Sequence, residues 1–245
     1  MRVIGDYHTH TTYSHGKGTI RENVEAAIKK GLKEIAICDH GPAHYLYGVK
    51  KENIFKMREE IDLLNKEYEN QGIRILLGVE ANVIGYDGTI DVDDDIINII
   101  DILLLGYHYG ITPKSIKDGL FMYLMNPLTK VLPIYKRKIT EKNTQALIKA
   151  INRYPVKIIT HPGSKAKLNI ERIGKAAFEK GVALEINSSH SQLSIENIKI
   201  ALKTGVEFYV NSDAHTPEDV GNMEEGINRI KEAGAPINRI KNIIY

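Results

Sequence analysis

The chain has 245 residues, ordinary proportions of apolar and charged side chains, and a formal net charge of +2. That length suits one large domain with its own core, and α/β barrels commonly run to about 250 residues. So small a charge gives no argument for nucleic acid or an anionic membrane as partner. No apolar run approaches the roughly 20 residues of a membrane-spanning helix, and the N-terminus shows no charged-then-apolar signal pattern. The single cysteine, Cys38, excludes an internal disulfide and suits a cytoplasmic protein. At the end of an apolar run, it reads as a small core residue.

Val3-Ile4 opens a first strand, followed at once by Asp6-Tyr7-His8-Thr9-His10 and, on the loop beyond, by His15. Residues two apart in an extended segment share a face, so His8 and His10 can address one ion. Thr19-Ile20-Arg21-Glu22 has the form of a capping box, and the helix it starts places Val24, Ala27 and Ile28 on one face before Gly31. Residues 34–38 read as a buried strand leading into Asp39-His40-Gly41-Pro42. An amphipathic helix carrying Ile54, Met57, Ile61 and Leu64 runs toward Gly72. Residues 73–79 form a third strand, with Glu80 as its last residue. Asp93-Asp94-Asp95 is an acidic helix start favoured by the helix dipole.

The second half repeats the scheme. Residues 102–106 deliver His108, 156–160 deliver His161, 182–186 lead to Asn187 and His190, and 206–210 deliver Asp213 and His215. Helices starting near Asn169 and Ser194 separate the later strands, and helical patterns at 223–233 and 238–244 finish the chain. Seven β-rich runs alternating with helices predict a parallel sheet, closed or nearly closed into an α/β barrel. Glycines at Gly31, Gly72, Gly181 and Gly205 mark four of the helix-to-strand joints.

The candidate metal ligands are His8, His10, His15, His40, Glu80, His108, His161, Asp213 and His215. Nearly all fall at the C-terminal ends of strands, the end where such barrels carry their active sites. Imidazoles with a few carboxylates suit zinc, manganese or iron, and without thiolates a structural zinc finger is excluded. Nine ligands exceed what one ion takes, so two or three ions are expected. Three divalent ions with two carboxylates would leave a charge of about +4, suited to a phosphate monoester. Closely spaced ions activate a water and clamp the oxygens of an in-line displacement. The chemistry indicated is phosphoryl hydrolysis.

These motifs resemble the PHP (polymerase and histidinol phosphatase) domain family, most closely its stand-alone YcdX-like phosphatases. The resemblance is carried by His8-Thr9-His10 with His15, Asp39-His40-Gly41-Pro42, Gly78-Val79-Glu80-Ala81-Asn82 and Asp87-Gly88-Thr89-Ile90-Asp91. It continues through Gly106-Tyr107-His108, Asn143-Thr144-Gln145-Ala146, His161-Pro162-Gly163, Leu184-Glu185-Ile186-Asn187 and Ser212-Asp213-Ala214-His215-Thr216. It implies a distorted (β/α)7 TIM-like barrel as one domain over residues 1–245 and three divalent ions, zinc foremost with manganese or iron as alternatives; the main departure from the family is a longer, more apolar segment at about 109–142. One ion would take His8, His10, Glu80 and Asp213, a second Glu80, His108 and His161, and a third His15, His40 and His215. A hydroxide bridging the two Glu80-linked ions would be the nucleophile, with Glu80, Asp213 and His215 as the catalytic residues.

The expected partner is a small phosphorylated substrate. A 3'-5' exonuclease, a histidinol phosphatase, a silent metal-binding module and an amidohydrolase are the alternatives. Lys17, Arg21 and Lys165 lie near ligand loops and are candidates to hold phosphate, or ordinary surface cations. Asp39 reads either as a residue orienting an imidazole or as a turn cap, His44 as a loop residue, and His190 as a solvated loop residue or part of the pocket. Residues 121–125, Phe-Met-Tyr-Leu-Met, are a lid, a contact of a homo-oligomer or additional core.

Overall fold

The computed structural model describes residues 1–128 and 133–244. The described residues form nine strands: β1 (Arg2–Val3), β2 (Gly5–Thr9), β3 (Glu34–Ile37), β4 (Arg74–Asn82), β5 (Ile102–Gly106), β6 (Ile158–Ile159), β7 (Ala183–Asn187), β8 (Phe208–Asn211) and β9 (Ile243–Ile244). Strands β2 to β8 form one parallel seven-stranded sheet in sequence order. It curls until its edges meet: Thr9 bridges Ala214 in parallel, and His10 N donates to Ala214 O at 2.8 Å. The expected nearly closed (β/α)7 barrel is therefore the fold.

The barrel is distorted where β4 changes partner. Residues 74–77 of this nine-residue strand pair with β3, and residues 78–82 pair with β5. The strand continues two residues past Glu80, which brings Asn82 onto the same inward face. A bulge between Asp6 and Thr9 interrupts the β2–β3 ladder. Bulges re-aim side chains, and here Tyr7 packs inside the barrel while His8 reaches the ligand cluster.

Two apolar clusters hold the barrel. A small one fills its interior, with Tyr7, Ala36, Cys38, Leu76, Leu104 and Tyr209 among its members. A large one lies between the sheet and the helices, where Ile35, Ile37, Ile75, Leu77, Phe208 and Val210 meet the helix faces. Cys38 is fully buried and its Sγ donates to Tyr7 O, as a core thiol does. The helix Ile20–Lys29 starts with the expected capping box, Thr19 and Glu22 each satisfying a backbone donor of the other. The helix Lys51–Glu67 buries Ile54, Met57, Ile61 and Leu64, and Asp93 caps a short helix through Ile96 N.

One expected element differs. Residues 238–244 are not helical: Ile237–Arg239 is a 3-10 turn, and β9 pairs antiparallel with β1, tying the two ends of the chain together. Asn242 explains the change, because its buried amide donates to Gly5 O and Val210 O and accepts from Val210 N. Those bonds need an extended neighbour, and the β-branched Ile243 and Ile244 suit a strand. In the 109–142 segment, a helix begins at Ile116, passes through a π-helical turn at Phe121–Met125 and continues to Leu128. Met122 is buried there and Phe121 packs edge-on against Tyr86. Among the described residues no helix is long and apolar enough to cross a membrane.

Candidate metal centre

The nine predicted ligands converge at the C-terminal mouth of the barrel. They fall into four overlapping groups: His8 with His10 and Asp213, Glu80 with His108 and His161, His10 with His40 and Glu80, and His10 with His15 and His215. The first group holds three residues of the first expected site but not Glu80, and the second has the three residues of the second expected site. For the third, the structure pairs His15 and His215 (Nε2 to Nε2, 2.8 Å) and turns His40 Nδ1 toward Glu80 Oε2 at 3.0 Å, while the His15 and His40 rings stack at 4.9 Å. Glu80, almost fully buried on β4, sits between the groups: its Oε1 lies 3.3 Å from His8 Nε2, 3.0 Å from His108 Nε2 and 2.9 Å from His161 Nε2.

The outward nitrogens of three imidazoles are occupied, which fixes which atom faces inward. His8 Nδ1 donates to Glu185 Oε1 at 2.8 Å, His108 Nδ1 to Asn82 Oδ1 at 2.6 Å, and His215 Nδ1 to Asp213 O at 2.8 Å. The Asn82 amide is itself oriented, because its Nδ2 donates to Asp91 Oδ2 at 2.6 Å and so leaves the oxygen for His108. Such partners lock the tautomer and raise ligand basicity. Backbone geometry contributes too. His161 (φ 25) and Asp213 (φ 58) are the only non-glycine residues with positive φ among those described, and both are candidate ligands. Strained residues of this kind persist where the surroundings over-determine them, often at functional sites. Gly106 is required by close approach, since a Cβ there would overlap Thr160 Oγ1 and press on the His108 and His161 rings.

Burial works against every charge in the cluster, yet the groups sort by their neighbours. It pushes His10 well below its ordinary range and His15 and His108 down to about 4, leaving neutral imidazoles. At His8 burial is outweighed by Glu185, Asp213 and Glu80, which hold its pKa well above the usual value. Burial would raise Glu80 and Asp213, but His108 and His8 at the first and His8 and His10 at the second keep both well below the carboxylate range. Glu80 Oε2 and His40 Nδ1 are buried and face each other at 3.0 Å without hydrogen-bond geometry, and neither has a hydrogen-bond partner. Inward imidazole nitrogens, ionised carboxylates and unpartnered buried acceptors form the donor set a divalent cation satisfies.

The surroundings correct two readings. His44 is not a free loop residue: it is buried, stacks on His40 at 4.9 Å and accepts Tyr47 N at its Nδ1. His190 lines the cleft, with its Nε2 3.6 Å from Asp213 Oδ2 and its ring edge-on to His161. All nine histidines of the chain thus lie in or beside one cluster. Asp39 holds the turn after β2: it accepts Thr11 N and the Thr11 and Ser14 hydroxyls, and its Oδ1, 3.8 Å from His10 Nδ1, makes no hydrogen bond to that imidazole. Of the three candidate phosphate cations only Lys165 lines the cleft, and Arg21 is held by both oxygens of Glu67 on the barrel exterior. The cleft encloses about 210 Å³. A hollow of about 460 Å³ between Tyr7, Tyr209, Glu34 and Lys157 contains none of the nine ligands.

Residues 6–189 match the model of the PHP domain. The chain belongs to the PHP domain family. A probable phosphatase of Thermoanaerobacter sp. (strain X514) is 35% identical over 257 residues, covering 99% of this chain and 91% of that protein. The DNA polymerase/3'-5' exonuclease PolX of Bacillus subtilis is 32% identical over 254 residues, which take in 98% of this chain but 39% of that protein. The fold is shared with the histidinol phosphate phosphatase of Lactococcus lactis, crystallised with zinc, L-histidinol and phosphate (TM-score 0.64, 18% identity, 96% of this chain and 95% of that one). By family and by these relatives the chain is a PHP-type metal-dependent phosphatase.

Proposed function

We propose that this PHP barrel, as a single unit over residues 1–245, hydrolyses small phosphate monoesters with a centre of three divalent ions, zinc foremost. The observation that carries the reading is the overlap of the ligand groups through Glu80 and His10. Nine donors linked by shared residues suit several adjoining ions better than one. His8, His10, Glu80 and Asp213 would hold the first ion, Glu80, His108 and His161 the second, and His15, His40 and His215 the third. When bound, the ions supply positive charge for the phosphoryl oxygens and acidify water to a nucleophile at neutral pH.

The chain's own residues do the rest. Glu80 would serve two adjoining sites through one carboxylate. Asp213, anchored by Asn187 Nδ2 at 3.0 Å, faces His8 and His10. The buried carboxylates of Glu185 and Asp39, added to Glu80 and Asp213, halve the net charge reckoned from the nine ligands and three ions alone. What remains is still positive, and it favours an anionic ester over a neutral one.

A nuclease is the second reading, favoured by the match to PolX across nearly the whole chain. The narrow cleft and the slight net charge suit a small ester better than a polynucleotide. Elemental analysis of purified protein, alongside hydrolysis of an aryl phosphate with and without chelator, tests the proposal. About three ions per chain with chelator-sensitive phosphate release is the expected result. Full metal with no release favours the nuclease, and absence of bound metal overturns both readings.

A further inference from the structure

We propose that Lys165 takes up the phosphoryl group of the substrate and that Tyr109 and Tyr47 hold the alcohol to which it is esterified. This rests on the phosphomonoesterase reading and names the substrate class: esters of a small alcohol carrying a flat or apolar group. Lys165 is the one lysine or arginine among the residues lining the cleft. It is brought there by a tight turn, in which Ser164 N donates to His161 O at 3.0 Å and Gly163 takes a φ of +92. Among the described residues it has no carboxylate partner, whereas Lys114 is paired with Asp87, and Lys51 with Asp93 and Asp95. Its charge is therefore free for a ligand, and lysine meets phosphate as a compact point charge on a flexible stem.

The two phenol rings stand beside it. Tyr109 follows His108 directly, is half exposed, and has its ring centre 5.8 Å from Lys165 Nζ. Tyr47 leans over the other side, stacked on His15 at 4.4 Å and on His44 at 5.0 Å. The cleft thus has a floor of carboxylates and imidazoles, one cation on its wall, and two aromatic faces at its rim. Rings of this kind bind flat or apolar groups through stacking and area burial. With a volume of about 210 Å³, the cleft accommodates a phosphoryl group and a small alcohol, not a chain of nucleotides.

The test is a titration of inorganic phosphate into zinc-loaded wild type, Lys165→Ala and Lys165→Arg, with metal content measured for each. Kinetics on p-nitrophenyl phosphate and on glycerol phosphate accompany it. Lys165→Ala is expected to weaken phosphate binding about tenfold and raise KM alike for both esters, with kcat changed less than about threefold and metal content unchanged. Lys165→Arg recovers most of the loss. Tyr109→Ala is expected to raise KM for the aryl ester several-fold and to leave that for glycerol phosphate unchanged. Unaltered phosphate affinity in Lys165→Ala overturns the lysine's role, and equal KM changes for both esters in Tyr109→Ala overturn the alcohol site. If wild type binds phosphate yet cleaves neither ester, the phosphomonoesterase reading and with it the alcohol site are overturned, while the titration still decides the lysine.

Discussion

Glu185 is fully buried on β7 and each of its carboxylate oxygens accepts two hydrogen bonds. Oε1 takes His8 Nδ1 at 2.8 Å and Asn211 Nδ2 at 2.9 Å, and Oε2 takes His161 N at 2.7 Å and Asn187 Nδ2 at 2.9 Å. Glutamine keeps the shape but puts an amide NH₂ at one of these two places, where it faces two donors. The asparagines cannot simply turn over, because Asn211 Oδ1 accepts Tyr7 N, and Asn187 Oδ1 accepts Ser189 N and His190 N. Two hydrogen bonds to an ionised acceptor are lost, at roughly 1.5–3 kcal/mol each, so Glu185→Gln should cost about 3–6 kcal/mol. In a protein of this size, that is a fall in Tm of roughly 10 °C. The loss can be relieved only if His8 shifts its proton to Nε2, and then the inward atom no longer ligates. Either way metal binding suffers, by about 10–100-fold as for other residues that orient a ligand. Thermal unfolding in chelator and competition against a chromogenic zinc indicator measure the two effects. A variant with both wild-type Tm and wild-type zinc affinity would refute the role given to Glu185.

Glu80→Ala removes the carboxylate shared by two sites and should abolish phosphate release while lowering metal content; full activity with full metal would contradict the ligand plan. Asn82→Ala frees His108 Nδ1 and should weaken zinc binding about tenfold, with a smaller effect on the fold than Glu185→Gln, as checked by the same indicator titration and by thermal unfolding. Because the His8 pKa is held above its ordinary value, metal-free protein keeps that proton to higher pH than a free imidazole does, and an incoming ion must expel it. Zinc binding should therefore release protons and tighten as pH rises; titration calorimetry in two buffers of different ionisation enthalpy would give identical heats if it does not. Zinc at a hundred times its dissociation constant should stabilise the fold by about 2.7 kcal/mol, read as a rise in Tm that chelator reverses.

The barrel and its candidate ligands are legible because they are local signals in a repeating frame. Glycine-ended helices, short β-branched runs and a histidine or carboxylate just after most of the runs are all visible along the chain. The partners that lock those ligands are not local. Asn82 lies two residues beyond the point where the third strand was expected to end, and its role depends on Asp91 and on His108, 26 residues away. Glu185 carried a signal that could have been used: a lone carboxylate in the apolar run 182–186 must be paired to be buried. His44 reads as a loop residue because its partners, His40 and Tyr47, meet it only once the chain has turned back. The C-terminal strand β9 is two residues long, too short for any periodicity to mark, and is made by pairing with the opposite end of the chain.

Inside the barrel the side chains change character along the strands. The inward positions run from Leu76 to Glu80 and Asn82 on β4, from Ala183 to Glu185 and Asn187 on β7, and from Tyr209 to Asn211 on β8. The N-terminal half of the interior is thus a small apolar plug, and the C-terminal half is a polar chamber with no room for a second plug. Buried carboxylates and imidazoles this close repel or go unpartnered unless an opposite charge sits among them, which makes the chamber costly to fold by itself. The apolar plug and the surrounding helical layer offset that cost. The strained conformations of His161 and Asp213 and the unpartnered Glu80 Oε2 all lie in the polar half, where a bound cation would satisfy the carboxylate oxygen.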